Sequence, residues 1–252
     1  SIWHESRCQK KSMSIRKIPE YLRFDHMTLI ESRYAPESII NLLENSVSAH
    51  LSIVVGGQPH AGKTELVKYL TTKIPHNEKA GVYEDNQEIH YRKINPNKKC
   101  VEFFVDDKIT YPDIIKAGLR HNIDWILLSE SRGPEVAHLL NSLSTGSYCM
   151  TTMHLDDVRD TPDRMYNMLG SSNINERFIN SIYKYIDLVI LIECDKHEKR
   201  RIKQVGFLSR ENGNNQCTVI YEDGSFTDEK IPETIINKFS KKGIMNIYEK
   251  VN

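Results

Sequence analysis

No run of apolar residues in this chain is long enough to cross a bilayer. The longest, such as Leu188 to Ile192, are strand-sized, whereas a spanning helix needs about 20 residues. Ser1 to Lys11 is polar and charged, so nothing there reads as a signal peptide. An excess of charge of either sign is also missing: Lys and Arg total 34 and Asp and Glu total 34 among 252 residues. That balance removes any global electrostatic argument for nucleic acid or an anionic membrane as partner. The five cysteines, Cys8, Cys100, Cys149, Cys194 and Cys217, are scattered and form no C-x-x-C pair. This pattern favours reduced thiols in a cytosolic compartment over a disulfide frame or a zinc site. His4 and Cys8 together are too few for a structural zinc set. Internal repeats and low-complexity tracts are absent as well.

What is present is concentrated between Leu51 and Thr64. A β-branched run, Ile53 to Val55, leads into Gly57-x-x-x-x-Gly62-Lys63-Thr64, and a helical pattern follows from Glu65 to Lys73. Phosphate binding needs this order. Backbone N–H groups of the loop and the helix N-terminus face the oxygen atoms, Lys63 reaches the outer phosphates and the Thr64 hydroxyl takes Mg²⁺. Glycine at 57 and 62 keeps side chains out of the approach, and His60 and Ala61 complete the cradle.

A chain of this length accommodates one large α/β domain, or one with a small appendage. Pro36 in a first turn, followed by Ile39, Ile40, Leu42, Leu43 and Val47, predicts a helix. Strands are expected at Ala80 to Asp85 and Val101 to Val105, and Thr110 with Asp113 reads as a capping-box variant opening a helix through Leu119. A buried strand at Trp125 to Leu128 runs into Ser129, Glu130, Ser131 and Arg132. A helix from Pro134 to about Leu143, a strand from Tyr148 to Met153 ending at His154, and a helix from about Pro162 to Leu169 follow. Such alternation predicts a mainly parallel sheet flanked by helices, with the ligand at the carboxyl ends of the strands. The phosphate loop, Glu84 with Asp85, Glu130 and His154 all fall at such ends. Past Ile182, Asp187 to Glu193, Arg200 to Leu208 and Gln216 to Tyr221 read as antiparallel strands, and Ile231 to Phe239 as a final helix. The expected organisation is a linker or remnant over 1–24, then one domain over 25–252 with a β-hairpin region from about 187.

These motifs resemble the secretion-ATPase superfamily that powers type II and type IV secretion, type IV pili and Tad/Flp pili, especially its Tad-pilus and conjugation branch. The resemblance runs from about Ser14 to Gly224. Gly57 to Thr64 is similar to the family's Walker A loop, Tyr83 to Glu88 to its Asp box, Leu119 to Gly133 to its atypical Walker B segment and Thr145 to His154 to its His box. Ser14 to Lys17 matches a segment just before the motor domain. The resemblance implies a RecA-like core that binds ATP with Mg²⁺ and works as a hexameric ring. That ring would sit at the cytoplasmic face of the membrane, against inner-membrane platform proteins of a secretion or pilus machine. It also implies an N-terminal domain upstream, so a chain that begins at Ser1 is expected to be a fragment.

By the same resemblance, Glu130 orients water or acts as general base. Glu84 and Asp85 support the metal-bound water, and His154 contacts the γ-phosphate region. Arg120 and Arg132, and similarly Arg16, stabilise charge or bridge subunits. The basic cluster Lys196 to Lys203, with Arg200 and Arg201, reads as a solvated hairpin, and no specific nucleic acid is expected as a partner. The loop interior Gln58 to Ala61 and Ser129 depart from the family pattern; Pro59 removes one phosphate donor, which implies reduced affinity. Lys63, Thr64 and Glu130 are retained. The expected function is a Mg-dependent ATPase motor domain. The alternatives are a nucleotide-binding assembly module with negligible turnover, or another phosphate-loop NTPase or kinase. The His-box pattern and the absence of an evident lid weigh against a kinase.

Overall fold

The computed structural model describes residues 2–3, 10, 12–13, 17–170, 175–197 and 199–250. Two short strands, β1 (Ile2–Trp3) and β2 (Ser12–Met13), pair with each other outside the main sheet. Helices α1 (His26–Glu31) and α2 (Glu37–Ser48) lead to β3 (Ile53–Gly57) and α3 (Lys63–Thr71). The chain continues through β4 (Lys79–Glu84), α4 (Tyr91–Ile94), β5 (Lys99–Phe104), α5 (Tyr111–Gly118) and β6 (Trp125–Leu128). Next come α6 (Glu135–Leu143), β7 (Tyr148–Met153), α7 (Thr161–Asn167) and α8 (Glu176–Tyr185). The described chain closes with β8 (Leu188–Cys194), β9 (Arg200–Glu211), β10 (Asn214–Glu222), β11 (Ser225–Phe226) and α9 (Glu233–Lys241).

Among the described residues, nine strands form one sheet in the order β11-β10-β9-β8-β3-β7-β6-β4-β5. Pairing is parallel from β5 across to β8 and antiparallel from β8 outward. Side chains alternate between the two faces of a strand, and here both faces are covered. Ile53, Val55, Trp125, Leu127, Leu188, Ile190 and Ile192 enter one core with α2, α3 and α9. Val54, Ile126, Leu128, Val189 and Leu191 enter the other with α5, α6 and α8. Near-continuous apolar runs are what a sheet buried on both faces requires. β3 lies mid-sheet between β7 and β8, and its following helix crosses over to β4 beyond β7 and β6. The loop after β3 therefore opens at a switch point of the sheet.

Several local expectations hold. β6 and β7 have the expected bounds, and the Asp113 carboxylate accepts from the Thr110 N–H at 3.0 Å and its hydroxyl at 2.6 Å. Others need correction. Pro36 sits one residue outside α2, at its N-cap with ψ 148°, where its extended backbone feeds the first turn. The strand expected as purely antiparallel, β8, is parallel to β3 on one side and antiparallel to β9 on the other. Its direction is set by α8, a helix that was not among the expected elements. That helix returns the chain to the starting edge of the sheet, as a crossover between parallel strands must. Ile182 of α8 is fully buried and Phe178, Tyr183 and Tyr185 are partly buried against the same core, so the helix carries an apolar stripe within an otherwise polar sequence. The short helices α1 and α4, at 6 and 4 residues, offer too few turns for periodicity to register.

The seat of β8 predicts a stability effect. Ile190 is fully buried beside β3, so Ile190→Ala should lower unfolding free energy by about 2–5 kcal/mol. Denaturant titration followed by circular dichroism measures it; a loss well under 1 kcal/mol would contradict this placement.

Candidate active site

The turn from β3 into α3 is confined on both sides. A Cβ on Gly57, whose φ is +149°, would stand 2.5 Å from the Ile192 carbonyl of β8, so no side chain fits there. His60 takes φ +64°, and Gly62, with φ +98°, is the N-cap of α3. The helix thus begins at Lys63, two residues earlier than the side-chain pattern suggested. Ala61 is buried, and its N–H returns to the Gln58 carbonyl at 3.2 Å. Over this helix N-terminus opens a cavity of about 370 Å³. Among the described residues, five Lys and Arg side chains line it (Lys17, Arg23, Lys63, Arg132 and Arg200) against three carboxylates (Glu65, Glu88 and Glu130). A helix N-terminus within a cationic lining suits a polyanion.

Four of the expected residues form a chain of contacts. Lys63 Nζ donates to the Gly57 and Gln58 carbonyls at 2.9 and 3.0 Å and lies 3.4 Å from His154 Nδ1. His154 Nε2 is 3.1 Å from Glu130 Oε1, and Arg132 Nη2 donates to Glu130 Oε2 at 2.5 Å. The hydrogen bond to Glu130 raises the pKa of the Arg132 guanidinium above its ordinary value. Among the described residues Glu130 Oε1 is buried without a hydrogen-bond partner, so His154 approaches it at ion-pair distance without closing a hydrogen bond. Glu130 owes its position to β7. The Thr152 hydroxyl donates to the Ser129 carbonyl at 2.7 Å, the Ser131 N–H reaches the Thr152 carbonyl at 2.8 Å, and the Ser131 and Thr151 hydroxyls lie 2.9 Å apart. Glu135 accepts from the Arg132 and Gly133 N–H groups at 2.6 and 2.8 Å, fixing the turn that presents Arg132.

The acidic residues after β4 divide their work differently from expectation. Glu84 is 2 % exposed and does not line the cavity. Its Oε1 accepts from the Glu88 and Ile89 N–H groups at 3.0 and 2.8 Å, and burial pushes its pKa up to about 7. Glu84 thereby folds the 85–89 turn and brings Glu88 Oε2 to 3.1 Å from the Thr64 hydroxyl. The carboxylate that faces Thr64 is therefore Glu88, which lay within the expected Asp box but was assigned no role. Asp85 is exposed and pairs with Arg132 Nη1 at 3.3 Å. The Thr64 hydroxyl and the Glu88 carboxylate are hard oxygen donors of the kind Mg²⁺ takes alongside substrate phosphates. Among the described residues no group of three or more His, Cys, Asp or Glu gathers to hold a metal.

Arg120 is not brought to this cavity. It is exposed in the turn that ends α5, where its N–H reaches the Ala117 carbonyl at 3.1 Å. The neighbouring His121 carbonyl accepts from Nζ of Lys79, the first residue of β4, at 2.9 Å. Arg120 thus stands at the starting ends of the strands, opposite the site, because the helices run back against the parallel strands. Arg16 lies outside the described residues. Lys17, Arg23 and Phe24, for which no individual site role was expected, line the cavity, and so does Arg200, which was expected to lie in a solvated hairpin. The segment carrying the first three is tied to α3 by Lys68. That fully buried side chain donates to the Pro19 carbonyl at 2.7 Å and meets Glu65 Oε1 at 3.1 Å. Among the described residues no helix is long and apolar enough to cross a membrane.

Residues 7–247 match the family described as Type II/IV secretion system protein. A putative conjugal transfer protein of Mycobacterium tuberculosis is 26% identical over 196 residues, 75% of this chain and 55% of the relative. The crystal structure of the VirB11 ATPase from the Brucella suis type IV secretion system, in complex with sulphate, is 26% identical with a TM-score of 0.62. That likeness covers 72% of this chain and 54% of VirB11. The pilus retraction motor PilT, at 18% identity and a TM-score of 0.56 over 94% of this chain and 60% of PilT, shares the fold. The expected RecA-like α/β core is borne out by these likenesses. The chain spans about half the length of the curated relatives it matches.

The burial of Glu84 gives a pH dependence of stability. Its pKa is about 7 in the folded chain against 4.5 ordinarily, so folding favours the protonated acid. That contribution is fully present below the ordinary value and is lost as pH rises through 7. Between pH 5 and 8 the nucleotide-free protein should lose about 2–3 kcal/mol more than Glu84→Gln does. Denaturant midpoints at the two pH values provide the comparison; parallel pH profiles for the two proteins would refute it.

Proposed function

Because the chain belongs to the Type II/IV secretion system protein family, we propose that it is the ATP-hydrolysing motor domain of a type IV secretion, conjugation or Tad-type pilus machine. The observation that carries this reading is the contact chain Lys63–His154–Glu130–Arg132 at the mouth of the cationic cavity on the α3 N-terminus. Phosphoryl transfer asks a protein for positioning, charge neutralisation and an oriented water. The loop backbone from Gly57 through His60, Ala61 and Gly62 cradles the phosphates, and Lys63 neutralises the outer ones. Mg²⁺ held by Thr64, and through water by Glu88 and Asp85, supplies further neutralisation when bound.

Glu130 orients a water molecule and takes its proton as the water oxygen bonds to the γ-phosphorus and the bond to the β–γ bridging oxygen breaks. Arg132 holds the Glu130 carboxylate in place and stabilises charge. His154, in contact with both Lys63 and Glu130, senses the loss of the γ-phosphate. Glu84 acts one step removed, by shaping the turn that carries Glu88. Residues 25–252 form the motor and 1–24 lead into it. Copies assemble as a hexameric ring at the cytoplasmic face of the inner membrane, against platform proteins of the machine. Arg120, far from its own chain's cavity, serves across the boundary between subunits. The names of the VirB11 and conjugal-transfer relatives support this assignment.

A second reading, a nucleotide-binding assembly module with negligible turnover, draws on Pro59, which removes a donor from the cradle. Phosphate release with Mg²⁺ and ATP separates the two. Under the motor reading, Lys63→Ala abolishes turnover and Glu130→Gln lowers kcat by about 10²–10⁴-fold. Equal release by wild type and Glu130→Gln would remove the catalytic assignment. Binding without release at any protein concentration would favour the assembly module.

A further inference from the structure

Arg200 is the first residue of β9, 140 residues from His60 in sequence, yet it forms part of the phosphate loop's wall. A Cβ on Gly62 would meet its Cδ at 3.0 Å and its Nε at 3.4 Å, so the side chain lies flat against the N-cap of α3. Its Nη2 is 3.4 Å from the His60 carbonyl, a long contact and the one hydrogen bond its guanidinium makes among the described residues. Among the described residues no carboxylate lies within 4.0 Å of it. The adjacent Arg201 is, by contrast, already paired with Glu193 at 2.5 Å. Successive side chains of a strand face opposite ways, which separates the cavity-facing Arg200 from its neighbour. Strand pairing sets its position. Arg200 pairs with Cys194 in the β8–β9 ladder, and the Asp195 carboxylate caps the connecting turn by accepting from the His197 and Lys199 N–H groups, both at 2.8 Å.

We infer that Arg200 is a phosphate-binding residue of the site, contributing from β9 the donors and positive charge that the loop forfeits at Pro59. A guanidinium presents N–H groups in a planar fork that matches phosphate oxygens, and this one already faces the cavity. The inference rests on the proposed nucleotide site. It adds a ligand group from the antiparallel extension, so that β9 and the phosphate loop grip one molecule between them.

Calorimetric titration with ADP and ATP, in Mg²⁺, of wild type, Arg200→Ala, Arg200→Lys, Arg201→Ala and Lys63→Ala tests it. Loss of a charge-assisted contact predicts ~10- to 100-fold weaker binding of both nucleotides by Arg200→Ala. Arg200→Lys should fall between Arg200→Ala and wild type, and Arg201→Ala should bind as wild type does. Thermal melts establish that each variant is folded, and Arg200→Lys carries the test if Arg200→Ala is not. Wild-type affinity in the Arg200 variants alongside lost affinity in Lys63→Ala would overturn the role of Arg200 and leave the nucleotide site standing. Absence of binding by the wild type would overturn both.

Discussion

The β3–α3 turn has almost no freedom. Its first residue touches the backbone of β8 and its last lies under a side chain from β9, so the loop is shaped by the sheet around it as much as by its own glycines. A parallel sheet places β7 on one side of β3 and β8 on the other. The residues beyond both strands then arrive at the same opening without further design. Helix α3 starts there, and its first N–H groups, which have no acceptor one helical turn earlier, supply the positive end of a dipole. The cavity is electropositive because the fold directs basic residues from four separate parts of the chain towards that helix end.

Much of this was legible in advance. Apolar runs at Ile53 to Val55, Trp125 to Leu128 and Leu188 to Ile192 are long enough and pure enough to read as doubly buried strands. Polar residues just past a strand stand at its carboxyl end, which is why Glu130 after Trp125 to Leu128 and His154 after Tyr148 to Met153 could be placed together from sequence. Arg200 illustrates the limit. It sits in a basic, turn-like stretch with no local signature, and only the register of β8 with β9 moves it to the loop. Glu84 and Glu88 show a subtler limit: two acids in one motif exchange roles according to which is buried, and burial depends on how the intervening turn closes. Arg120 shares a motif with Glu130 but is separated from it by the full length of a strand.

The carboxylates around the site are in three different electrical situations. Glu130 is held between a histidine and an arginine; Glu88 faces a hydroxyl; Glu84 is enclosed with two backbone donors and, among the described residues, no paired cation to offset its burial. Desolvation disfavours charge where no counter-charge compensates, and paired groups escape that penalty. One short region thereby holds acids that face the cavity and one that is enclosed to shape a turn.

Lys68 has a consequence for how the cavity can move. Its ammonium is fully buried, with the Pro19 carbonyl as one of its partners. Peeling residues 17–24 away from α3 would leave that charge short of a hydrogen bond in a medium that cannot hydrate it, an expensive state for any buried ion. The leader strip and the phosphate-loop helix therefore behave as one rigid handle: a pull on the strip is transmitted to the helix rather than absorbed as slack.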